Sequence, residues 1–184
     1  MNHLVRLGFG LALLPLAACT PNRVNPVAAT IPQPVPSGAS VSAADTQFAV
    51  QVSRSNQFET AASRLALQKA GREDVRRYAE RMIDHHAAST QQLERLAGNK
   101  GITLPGSLEP QQQQALANLE SAAPGASFER QYLAGQNDGY IALAGTMRSQ
   151  VASGTDPELK AMAQRSLPEI ERHAAAAQRL AERR

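Results

Sequence analysis

Apolar residues return every three or four positions in four separate stretches of the chain. In the first, Phe48, Val52, Ser55, Glu59, Ala62 and Ala66 form one stripe, with Phe58 and Leu65 beside it. In the second, Val75, Ala79, Met82, His86, Leu93 and Ala97 keep the same rhythm, widened by Tyr78, Ile83 and Leu96. Leu133, Gln136, Tyr140, Leu143, Met147 and Val151 make the third stripe, and Leu159, Ala163, Ser166, Ile170, His173, Ala177 and Leu180 the fourth. This is the period of an amphipathic α-helix, so the pattern predicts four long helices. Each has one wet face and one stripe to hide, and packing the stripes on one another hides them all.

The punctuation falls between the stripes. Gly71 separates the first two by a tight connection, which predicts antiparallel neighbours. "GNKGITLPGS" (98–107) ends the second, and Ser107-Leu108-Glu109-Pro110 opens a short extra helix reaching about Glu120. "SAAPGAS" (121–127) leads into the third long helix. Asp156 is the expected N-cap of the fourth, with Pro157 at the first helical position, where proline lacks no needed donor. Pro168 lies inside that fourth stripe, with Ser166 and Glu169 available as a restarted cap, so a kink or break is expected at 166–168.

Residues 1–42 follow a different rule. Arg6 precedes an apolar stretch from Leu7 to Ala18, closed by "LAAC", which together read as a lipoprotein signal peptide over 1–18. The stretch is too short to span a membrane. Cys19 is then the lipidated first residue of the mature chain, and as the sole cysteine it excludes an intrachain disulfide. Thr20 rather than aspartate after it favours the periplasmic face of the outer membrane. Prolines at 21, 26, 32, 34 and 36 make 19–42 an extended, disordered tether, leaving 43–184 as one domain.

Composition narrows the chemistry. Ala, Leu, Gln, Arg and Glu dominate, tryptophan is absent and β-branched runs are scarce, which is an all-α composition. The formal net charge of +3 invites a nucleic-acid reading. Arg64, Arg76, Arg81 and Arg95, however, alternate with Glu and Gln on outer helix faces, which is the pattern of a solvated surface. A glycine-rich phosphate loop, a nucleophile elbow and a Cys/His pair are all missing, so no catalytic residue is assigned.

What stands out is polar residues on the buried stripes: Glu59 on the first, His86 on the second, Gln136 and Tyr140 on the third, His173 on the fourth. Helix rise places Glu59 and His86 at similar heights on either side of Gly71. Glu and His facing inward from several helices is how bundles build metal sites. Glu59, His86 and His173 are therefore expected to converge, either as a hydrogen-bonded polar cluster or around one divalent ion such as zinc, iron or manganese. Gln136 and Tyr140 would line a pocket with His85, which sits one position off the stripe and should face a flank or solvent. No helix carries Glu-x-x-His, so a two-metal oxidase is not expected.

The runs "FETAASRLALQKAGREDVRRYAERMIDHHAASTQQLERLAGNKGITLP", "FERQYLAGQNDGY" and "LKAMAQRSLPEIERHAAAAQRL" resemble the domain of unknown function 4142 (DUF4142) family over Phe48 to Leu180. The resemblance implies a ferritin-like four-helix bundle in the bacterial envelope and brings no established activity. It also implies Glu at the position of Glu59, an Asp-His pair where this chain has His85 and His86, Gln and His where it has Gln136 and Tyr140, and a His after Leu-Pro, here His173. His85 thus replaces an acid and Tyr140 a histidine. The reading that follows is a membrane-tethered, non-enzymatic binding or stress-related module without nucleic-acid partners; the alternative is a metal-binding or redox bundle.

Overall fold

The computed structural model describes residues 41–183. The signal, Cys19 and most of the tether fall outside that span. The described residues form five α-helices and no strand: α1 (Ala43–Lys69), α2 (Glu73–Lys100), α3 (Pro110–Ser121), α4 (Ala126–Ser153) and α5 (Pro157–Glu182). The ends carry the expected signals. Ser42 and Asp45 form a capping box at the start of α1, satisfying two backbone donors that no helical carbonyl can reach. Asp156 accepts from the amides of Glu158 and Leu159 to start α5. Gly101 ends α2 in the left-handed region at φ 67°, a conformation that suits glycine best.

Pro168 neither ends α5 nor divides it, so the expected break at 166–168 is not there. The proline removes one hydrogen bond. The helix survives because the residues around it are held from the side: Met162, Ala163, Ile170 and His173 are all buried. Tertiary packing outweighs the local penalty.

α1 runs antiparallel to α2 across the short turn at 70–72, and to α4 as well. At one end of α1, the Gly125 amide donates to the Lys69 carbonyl at 2.7 Å, and the Arg72 amide to Glu129 Oε1 at 2.8 Å. At the other end Asp45, wholly buried, collects Gln150 Nε2 at 2.6 Å, Thr155 Oγ1 at 2.5 Å and the amides of Thr155 and Asp156 at 3.2 Å. Burial alone would raise the Asp45 pKa, but the bonds from Ser42, Thr155 and Gln150 outweigh it and hold the carboxyl well below the usual range. Lys100 closes the same end with a 2.7 Å ion pair to Asp156. The chain from 101 to 125 therefore climbs the full length of the domain, with α3 as its middle part, before α4 descends and α5 returns beside α2.

The core takes the predicted stripes except at Ser55, Val151 and Ser166, which are only half-buried; beside the first two, Asn56 on α1 and Gln150 on α4 are buried instead. Tyr78, Phe128, Tyr132 and Tyr140 supply the largest fully buried side chains, filling the space where short Ala stripes meet. Among the described residues, no helix is long and apolar enough to cross a membrane.

Candidate functional site

A seam of polar side chains runs through this core. Ser63 Oγ and Tyr132 Oη share a hydrogen bond of 2.9 Å. Next along the seam, Gln136 Nε2 donates to Glu59 Oε2. Tyr78 Oη lies 3.4 Å from both Gln136 Oε1 and the His173 carbonyl. Beyond it, His86 is held at both nitrogens: Nδ1 lies 2.9 Å from Asn56 Oδ1 and Nε2 2.7 Å from Tyr140 Oη. Asn56 Nδ2 donates to Ser89 at 3.0 Å, which leaves Asn56 Oδ1 as the acceptor facing His86. The Nδ1 therefore carries the proton and Nε2 accepts from the tyrosine hydroxyl. Burial, with smaller contributions from His85 and His173, depresses the His86 pKa to about 3 and keeps the ring neutral.

Glu59 is the opposite case. It is 2% exposed, and burial pushes its pKa up to about 8 against the opposing bond from Gln136, so at neutral pH the carboxyl holds its proton. Its Oε1 points at Gly139, where an added Cβ would stand 3.1 Å away. Gly135 and Gly139 open α4 at this level into a cleft of about 600 Å³ bounded by α1, α3 and α4. Phe58, Ala115, Ala142 and Leu143 give it apolar walls, and Arg54, Glu109 and Asp138 lie at its polar edge. Arg54 is already paired with Glu109. Glu59 is thus a proton-bearing acid among the residues that line an open, largely apolar cleft.

The predicted site residues separate into three places. Glu59 meets Gln136, and His86 meets Tyr140. The His173 side chain makes no hydrogen bond to either pair, and its ring packs on His85 at a centroid distance of 4.5 Å and on Tyr140 at 5.4 Å. His85, expected at a flank or in solvent, is half-buried against both His86 and His173, because α5 lies over that side of α2. Among the described residues, no group of three or more His, Cys, Asp or Glu stands ready to hold a metal ion, and Glu59, His86 and His173 are not gathered at one point. The pattern missed Asn56, which is three positions before Glu59, so a wider α1 stripe would have included it.

These features define a class: an all-α domain whose helices enclose a hydrogen-bonded polar seam, with an acid beneath a cleft. The chain belongs to the DUF4142 family, a domain of unknown function, whose model matches residues 30–180. Its fold is similar to the crystal structure of a DUF305 fragment from Deinococcus radiodurans, with a TM-score of 0.70 at 14% identity over 78% of this chain and 99% of that one. No curated protein matches the chain.

Proposed function

We propose that this protein is an envelope lipoprotein whose helical domain, a ferritin-like four-helix bundle, works as a non-enzymatic, stress-related binding module. Two antiparallel helix pairs joined by one long crossover are the ferritin-like arrangement, and the path from α2 to α4 supports it. The signal-like segment before Cys19 supports a lipid anchor and a place at the periplasmic face of the outer membrane. The ligand enters the cleft over Glu59, and the observation that carries this is a buried carboxyl lining the cleft with its second oxygen directed at Gly139.

The cleft favours a small cationic amphiphile. Its acids are Glu59, Glu109 and Asp138, and its one cation, Arg54, is spent on Glu109. An alkyl chain would lie along Phe58 and Leu143 while an ammonium replaces the proton on Glu59. Binding would then release one proton and tighten as pH rises toward 8, where Glu59 ionises without the ligand's help. Capture of such membrane-active amines suits a tethered envelope protein.

Calorimetric titration of the full chain with octylamine, in two buffers of different ionisation heat, tests this. One proton should be released per ligand at pH 7. Glu59→Gln should abolish that release and weaken binding about tenfold or more. Binding indifferent to Glu59→Gln would defeat the reading. Localisation is tested separately by comparing wild type with Cys19→Ser in membrane fractions, where only the wild type should stay with the membrane.

A further inference from the structure

Three buried side-chain polar atoms among the described residues lack a hydrogen-bond partner: Arg54 Nε, His85 Nδ1 and His173 Nε2. Two of the three belong to imidazoles that touch, one from α2 and one from α5. Buried polar atoms are almost always paired, so two orphans in adjoining rings point to a shared role. The rings meet edge to face at 72°, with centroids 4.5 Å apart.

A carboxylate stands beside them. Glu169 is one turn before His173 on α5, and its Oε1 lies 3.8 Å from His173 Nε2. It is only partly covered, with 39% of its side chain exposed, so it is free to turn. At present Arg172 holds its other oxygen. Among the described residues the three groups are not gathered as a metal site, so the carboxylate would have to leave Arg172 to join the two rings. Burial lowers the pKa of both His85 and His173, the latter to about 4, so both rings are neutral at pH 7 and each keeps a lone pair. Arg81 and Arg172 are the nearby cations, and both act against added positive charge at His173.

We propose that His85 Nδ1, His173 Nε2 and the Glu169 carboxylate bind one imidazole-preferring divalent metal ion of the zinc type, clamping α2 to α5. Two neutral imidazoles and one carboxylate suit zinc, with water completing a tetrahedron. The ion would satisfy both orphaned nitrogens and draw Glu169 away from Arg172. The site is separate from His86, whose nitrogens are both engaged by Asn56 and Tyr140, and from the cleft over Glu59.

The experiment is zinc titration of the untagged full chain carrying Cys19→Ser, so that no thiol competes, followed by calorimetry and by thermal unfolding with and without zinc. One zinc should bind per chain and raise the melting temperature, since a ligand stabilises only the state that holds it. His85→Ala should weaken binding about tenfold or more, and Glu169→Gln by a smaller factor in the same direction. Arg172→Gln should tighten binding, because it frees the carboxylate; a merely structural histidine pair would not respond to it. Glu169 and Arg172 are exposed enough that both variants keep the fold. His3, the one histidine outside the described residues, serves as control, and His3→Ala should leave the affinity unchanged. Absence of binding at millimolar zinc, binding lost with His3→Ala alone, or affinity indifferent to both His85→Ala and Arg172→Gln would overturn the assignment.

Discussion

His86 and His85 are neighbours in the chain and sit in opposite kinds of surroundings. The ring of His86 is sealed, with Asn56 on one nitrogen and Tyr140 on the other. His85 packs on His173, and each of those two rings keeps a buried nitrogen with no partner. Burial therefore does not by itself mark a functional histidine. A buried imidazole whose bonds are complete is part of the framework, and one with an unused nitrogen retains capacity for a ligand.

The sharpest way to break the comparison is His86→Ala. It strips a partner from Asn56 and from Tyr140, both buried, and should destabilise the domain by about 3 kcal/mol, since each orphaned group costs roughly 1–3 kcal/mol. Thermal or urea unfolding at pH 7 without metal reads this directly. A loss no larger than that of His85→Ala would show that the closed network contributes nothing.

Next in size is the dependence of stability on pH. His86 and His173 have folded pKa values near 3 and 4, below their ordinary 6.5, so the unfolded chain takes up protons that the folded chain refuses. Their contribution is complete above pH 6.5 and is lost as pH falls toward 4. Asp45 adds a further loss below about 3.8. Glu59 acts in the other direction: its folded pKa near 8 exceeds its ordinary 4.5, so its effect is absent below 4.5 and stability falls as pH rises through 8. Unfolding followed across pH should therefore show a maximum near pH 6 to 7. Glu59→Gln should remove the alkaline decline, being more stable than wild type at pH 8 and similar to it near pH 4.5. A wild-type curve flat from pH 5 to 9 would contradict both shifts.

The smallest effect is the other half of the comparison. His85→Ala removes a half-buried ring with an orphaned nitrogen, and in the absence of metal should change stability by less than about 0.5 kcal/mol. A drop comparable with that of His86→Ala would mean that the His85–His173 contact is itself part of the framework.

Much of this domain is legible in the order of its residues. The four long stripes, the turn at Gly71, the short helix after Pro110 and the cap at Asp156 follow from side-chain periodicity and from local backbone chemistry, which operate within a few residues. The inward position of Glu59, His86, Gln136, Tyr140 and His173 follows from the same periodicity. Their pairing does not. Which stripe residue meets which depends on helix rotation and height across the core, and a shift of a few ångströms decides whether His86 finds Glu59 or Asn56. The break expected at Pro168 is absent for a related reason: the local penalty is legible within one helix, and the packing that overrides it is not. Side-chain periodicity alone dictates that four amphipathic helices hide a set of polar residues together. That His86 is closed, that Glu59 lies against a glycine-lined cleft, and that His85 meets His173 with nitrogens to spare follow from how the helices dock, because hydrogen-bond satisfaction belongs to pairs of helices and not to any one of them.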